Sequence, residues 1–112
     1  MGTISKLILK KYVFELLINS AKWKIPCVCY PATFPGMSCP ISIAGAIAQS
    51  SAEAIAGMVI HQLPEPGSPI KSGTAILTMD MRQADLAYGS PEYMLSNIGA
   101  AEYFSSIGIP SW

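Results

Sequence analysis

At 112 residues this chain can form one small domain or part of a larger one. Its seven basic and seven acidic side chains balance, which leaves no electrostatic footprint for nucleic acid and no basic run suited to a membrane surface. Charged residues make up 12% and apolar ones 51%, against about 25% charged in an ordinary soluble domain. So much apolar surface cannot easily be hidden by a chain this size, and a partner surface or a larger fold is expected.

In chain order, Met1 to Ser20 only weakly resembles a secretory leader. Lys6, Lys10 and Lys11 precede the short apolar run Tyr12 to Ile18, but Glu15 interrupts it and no small-residue cleavage site follows cleanly. A cytoplasmic chain is expected. The first helix is read over Ile4 to Lys22 from the one-sided pattern Leu7, Ile8, Tyr12, Phe14, Leu17 and Ile18. A short strand then begins at Pro26, and the loop Pro31 to Pro40 follows it. Helix two runs from about Ile41 to Leu63 and is dense in alanine and glycine, so it should lie close to its neighbours. Gln49, Ser50, Ser51 and Glu53 at its middle argue against a membrane span.

Pro64 stops that helix, and Pro66-Gly67 turns the chain into a strand over Pro69 to Thr74. A long loop reaches Gly89. Helix three opens with Ser90 as cap, Pro91 in the first helical position and Glu92 opposing the dipole. It ends near Ile107, with Gly108 as a left-handed terminator and Pro110 entering another strand. Pro26, Pro69 and Pro110 stand 43 and 41 residues apart, and proline is tolerated at a strand's first residue. The order α-β-α-β-α implies parallel βαβ units. Loops into the strands are short and loops out of them long, the bias of a (β/α) barrel or of a doubly wound sheet. No glycine-rich phosphate fingerprint follows either strand.

The three cysteines, Cys27, Cys29 and Cys39, make a poor disulfide framework, and one histidine, His61, does not complete a zinc site. Reduced cysteines and a helix-end histidine beside the last carbonyls are expected. The densest cluster of charge and turn residues is Met79-Asp80-Met81-Arg82 followed by Gly89-Ser90-Pro91-Glu92. Charges just past a buried strand sit where α/β enzymes keep their chemistry.

From about Ile25 to Trp112 the chain resembles the trimethylamine methyltransferase family, corrinoid-dependent enzymes that demethylate methylated amines and betaines. The matching pieces are Pro35-Gly36-Met37-Ser38-Cys39-Pro40-Ile41-Ser42-Ile43-Ala44-Gly45, Ala52-Glu53-Ala54-Ile55-Ala56-Gly57, Gln62-Leu63, Pro66-Gly67-Ser68-Pro69, Met79-Asp80-Met81-Arg82, Gly89-Ser90-Pro91-Glu92 and Ile107-Gly108-Ile109-Pro110-Ser111-Trp112. Cys39 and Ser42 stand where the family tends to have alanine and threonine, and Ser51 where it has asparagine. Gln83-Ala84 replaces the threonine-glycine that commonly follows Asp-Met-Arg.

The resemblance implies a (β/α)₈ TIM barrel with parallel strands, of which residues 1–112 would supply about two units. It also implies methyl transfer from a small methylated amine, trimethylamine or a betaine, to cobalt. The corrinoid would be carried by a partner corrinoid protein, with no cofactor bound directly. In trimethylamine-specific members a pyrrolysine lies beyond the matching segment, so this chain alone is expected to be inactive. The full-length protein is expected to be an oligomer. The alternative is a non-catalytic remnant or a protein-interaction module.

A cationic substrate calls for aromatic faces and a carboxylate. Asp80 and Arg82 are the candidate catalytic pair, Arg82 able to grip a betaine carboxylate bidentately. Tyr30, Phe34, Tyr88 and Glu53 are the candidate substrate-binding residues. The plainer readings are that Asp80 and Arg82 brace their loop, that Tyr30 and Phe34 pack, and that Glu53 is a buried structural carboxylate.

Overall fold

The computed structural model describes residues 3–4 and 8–111, with side chains from Lys10 onward. Strands β1 (Thr3–Ile4) and β2 (Ile8–Leu9) pair antiparallel. Helix α1 therefore spans Lys11–Lys22 rather than starting at Ile4; Ile8 and Leu9, apolar neighbours, go to a ladder instead of a helical stripe. The part of the expected helix over residues 5–7 lies outside the described residues. Leu17 and Ala21 form the buried side of α1.

Strand β3 (Cys27–Cys29) pairs in parallel with β5 (Ile70–Ser72), and β4 (Ala32–Thr33) pairs in parallel with β6 (Ala75–Ile76). Cys27 faces Ile70 and Ala32 faces Ala75, so one offset of 43 residues runs through both ladders. They form a single interrupted pair. The break falls at Pro31, which has no amide to donate, although its carbonyl still accepts from Ala75 N at 3.0 Å. The stretches expected as bare loops after each strand thus begin with more strand. On the far side of β5, Ser72 N donates to Pro110 O at 3.3 Å, placing the chain after the last helix alongside β5.

Helix α2 (Ile43–Gln62) connects the two strand segments, and α3 (Pro91–Ser106) follows them. Ser42 caps α2 by accepting from Gly45 N, and Ser90 caps α3 by accepting from Tyr93 N. Gly108 ends the last helix at φ +72°. Close approach depends on two glycines. A Cβ at Gly57 would collide with the Cys29 Sγ, and one at Gly99 would lie 2.8 Å from Ile47 Cδ1. The first lets α2 settle on β3, the second lets α3 settle on α2. Ala46, Ala54, Ile76, Ala100 and Phe104 are buried at these contacts.

The described residues thus form a mixed α/β structure of three helices with short parallel and antiparallel sheets. The expectation of parallel strands alone misses a hairpin, β7 (Met79–Asp80) against β8 (Asp85–Leu86), antiparallel. A four-residue turn can join only an antiparallel pair. Its last residue, Ala84, sits at φ +53°, where an L residue is strained. This is the position at which the resembling family commonly carries glycine.

Candidate functional site

The carboxyl ends of the parallel strands carry three pieces of structure. The first is the turn Phe34 to Cys39, closed when Phe34 O accepts from Met37 N and Ser38 N and when Ser38 Oγ accepts from Phe34 N at 2.8 Å. Half-buried Phe34 acts here as a turn residue. The second is the β7–β8 hairpin. It is joined to the first strand by Leu77 N donating to Thr33 O at 2.9 Å, and to α3 by the Thr78 and Ser90 hydroxyls 2.9 Å apart. The third is the polar inner face of α2.

That face holds the site's buried chemistry. Gln49 Nε2 donates both to Ser38 O at 2.9 Å and to Glu53 Oε1 at 3.2 Å. Residues four apart on a helix meet in this way. Glu53 is 4% exposed, and its Oε2 is buried with no hydrogen-bond partner among the described residues. Next to it, the hydroxyls of Thr33 and Ser50 bond to each other in full burial. Thr74 Oγ1 is also buried, with no partner among the described residues. Buried polar groups are normally satisfied, so unmet acceptors and donors at one end of a sheet mark a region set up for something further.

A cavity of about 580 Å³ runs beside β3, lined by seven consecutive residues, Ile25 to Pro31, together with Trp23 and one face of α1. Glu53 closes its inner end. Lining by every residue in turn means the cavity follows a strand's open edge rather than one of its faces. Cys27 N donates to Pro69 O, so the alternation of a parallel ladder turns the amide and carbonyl of Val28 toward the cavity. Tyr30 lines this cavity and also a second one of about 630 Å³, which it shares with Tyr93, Asn97 and Thr74.

The six anticipated residues therefore fall into separate groups. Tyr30 and Glu53 meet at the first cavity. Asp80 and Arg82 meet on the hairpin, where Asp80 Oδ1 accepts from Arg82 N at 2.8 Å. That is the loop brace, seen directly. Arg82 is exposed, and its guanidinium makes no hydrogen bond or ion pair among the described residues. Tyr88 is exposed and packs edge-on against Tyr93, with centroids 5.6 Å apart, which connects the hairpin to the second cavity. Neither Asp80 nor Arg82 lines either cavity. Sequence reading missed Tyr93, Gln49 and the Thr33–Ser50 pair. Helical spacing from Glu53 would have found Gln49.

The thiols are free. Burial, with Cys27 adding to it, pushes Cys29 up to about 11. Burial also raises Cys39 despite a hydrogen bond from Thr33. Both are poor nucleophiles in this state. His61 stands at the end of α2, as expected. It is wholly buried in the last turn of α2, with Nδ1 3.4 Å from Gln62 Nε2 and Nε2 unpartnered, and burial holds it below its ordinary value. Gln62 also binds the following turn, donating to Ser68 O and accepting from Gly67 N.

The family model described as trimethylamine methyltransferase (MTTB) matches residues 2–111. Trimethylamine methyltransferase MttB of Methanosarcina barkeri (strain Fusaro / DSM 804) is 30% identical over 98 residues, covering 88% of this chain and 20% of the relative. MttB of Desulfitobacterium hafniense (strain DSM 10664 / DCB-2) is 29% identical over 108 residues, 96% of this chain and 22% of the relative. A glycine betaine methyltransferase of Desulfitobacterium hafniense (strain Y51) is 36% identical over 76 residues, 68% of this chain and 16% of the relative. The chain thus spans about a fifth of the length of the trimethylamine relatives it matches.

Proposed function

Because this chain belongs to the trimethylamine methyltransferase family, we propose that it is a segment of a cytoplasmic methyltransferase. In that enzyme it contributes about two units of a (β/α)₈ barrel. The barrel reading is supported by the single parallel offset through β3–β6, by helices following each strand segment, and by Pro110 coming alongside β5. The match over residues 2–111 carries the reading of activity.

The proposed reaction takes a methyl group from trimethylamine or a betaine. The methyl leaves nitrogen without the bonding electron pair, and the amine keeps that pair. A corrinoid on a separate protein supplies the electron pair that receives the methyl.

In this reading the chain's task is to position a cation. Tyr30 and the unmet Glu53 oxygen meet it at the first cavity, while Tyr88 stands apart on the hairpin side, against Tyr93 of the second cavity. Asp80 holds the hairpin in shape through Arg82 N, leaving the exposed Arg82 guanidinium to grip a betaine carboxylate. Phe34 shapes the neighbouring turn. The exposed apolar edge at β3 also favours the second reading, an interaction module without catalysis.

The test grafts residues 25–111 of this chain into the Desulfitobacterium glycine betaine methyltransferase in place of the corresponding segment. A chimera that still moves methyl groups to a corrinoid supports the reading. Within it, Arg82→Lys should raise KM for glycine betaine by about tenfold with little change in thermal midpoint. An inactive but cooperatively folded chimera would favour the interaction module.

A further inference from the structure

Lys71 stands in the middle of β5, and it is the one charged side chain in either strand stretch, Pro26 to Thr33 or Pro69 to Leu77. Strands of a parallel sheet are normally apolar on both faces, because both faces are covered. A charge placed there breaks the local pattern, and such breaks are expected at functional positions.

The register decides which face carries it. Cys29 and Thr33 turn toward α2, where the Cys29 Sγ lies against Gly57 and the Thr33 hydroxyl bonds that of Ser50. Ile76 turns the same way and shares a buried cluster with Ala46 of α2. Side chains alternate along a strand, so Val28 and Tyr30 take the opposite face. Lys71, paired with Val28, takes it with them. Val28 is 48% exposed, Tyr30 is 38% exposed and Lys71 is exposed as well, which leaves this face uncovered among the described residues. Tyr30 lies two residues beyond Val28, toward the carboxyl ends of the strands. Strand spacing and rise separate the Cα atoms of Lys71 and Tyr30 by roughly 8 Å, a gap that a four-carbon stem can cross. Glu53, by contrast, reaches the first cavity from α2, on the helix side of the sheet.

We infer that Lys71 is a specificity-determining residue, one that requires the methylated ammonium substrate to carry a carboxylate of its own. The inference rests on the methyltransferase reading, in which the face turned away from the helices is the inside of the barrel. There an ammonium drawn to the Tyr30 ring meets a second cation beside it. Like charges at such a separation on a protein repel enough to weaken binding by about tenfold or more. A carboxylate on the same molecule reverses the sign. Lys71 binds it, Arg82 reaches the same group from the hairpin, and the ammonium keeps Tyr30 and Glu53. A betaine satisfies this arrangement of charge, and bare trimethylammonium does not.

The test is calorimetric binding to the graft chimera of glycine betaine and of tetramethylammonium, two quaternary ions of which only the first carries a carboxylate. Glycine betaine should bind about tenfold tighter or more. Lys71→Met and, separately, Lys71→Gln should erase that preference, and Lys71→Arg should keep it, all with the parent's thermal midpoint. Equal affinity for the two ions in the parent overturns the inference, and so does a preference that survives loss of the lysine charge. Binding of neither ion overturns it too. Methyl transfer separates this outcome from the reading beneath it. A chimera that demethylates glycine betaine but shows no preference dependent on Lys71 keeps the methyltransferase reading and loses the inference. A chimera that binds selectively through Lys71 and transfers no methyl group does the reverse.

Discussion

The two strand–loop–helix units, Pro26 to Gln62 and Pro69 to Ser106, share one pairing offset yet place their ionisable groups oppositely. The first hides its polar residues: Thr33, Ser50, Ser51, Glu53 and His61 are all buried. The second carries charge outward on the β7–β8 hairpin, with Arg82 and Asp85 exposed and Asp80 half-buried. The difference follows from what each unit packs against. Helix α2 lies between α1 and α3 and on the strands, so its polar side chains are shut away from water, and Ser51, Glu53 and His61 each keep a buried atom without a partner among the described residues. The hairpin projects past the sheet, where water satisfies whatever its backbone does not.

The comparison can be broken most severely at the closest packing point of the first unit. Gly57→Val should cost about 3 kcal/mol or more and abolish cooperative thermal unfolding, because the added carbons run into the Cys29 side chain, with Leu17 Cδ1 close beside it. Gly99→Ala, between α2 and α3, should cost about 1 kcal/mol, since Ile47 can rotate its terminal methyl away.

The buried hydroxyl pair sharpens the contrast. Thr33→Val leaves Ser50 without its partner and should cost about 2 kcal/mol in a denaturant titration. Adding Ser50→Ala should recover part of that loss, because no buried hydroxyl then lacks a partner.

In the exposed unit the effects are smaller. Ala84→Gly relieves the left-handed backbone at φ +53° but loosens the unfolded chain. The balance is a gain of about 0.5 kcal/mol, read as slower proteolysis of the hairpin.

The mildest effect is on pH. His61 is held below 6.5 by burial, so the folded state binds its proton less readily than the unfolded chain. Its contribution to stability is complete above pH 6.5 and is lost as pH falls through that value toward the lower folded one. His61→Gln should flatten the stability profile over this acid range, by at most one proton in the slope.

Much of this architecture could be read in the residues because it is local. Ser90-Pro91-Glu92 starts α3, Gly108 stops it, and the prolines at 26, 69 and 110 already state the spacing that the strands adopt. Helix caps, turn glycines and strand-entry prolines act through backbone geometry within a few residues, so sequence suffices for them.

Other features were decided by packing alone. Asp80 and Glu53 read alike as candidate carboxylates, but one braces an exposed turn through Arg82 N and the other is shut in beside the β3 edge with an unmet oxygen. Local spacing favoured a long first helix, yet Ile8–Leu9 pair as a strand. A helix of alanine, glycine and isoleucine gives no sign of which side faces out. Only the placement of α1, α3 and the sheet around α2 determines that its polar residues point inward with Ala46 and Ala54, and that Ala44, Ala48, Ala52 and Ala56 point outward, because burial depends on neighbours distant in the chain.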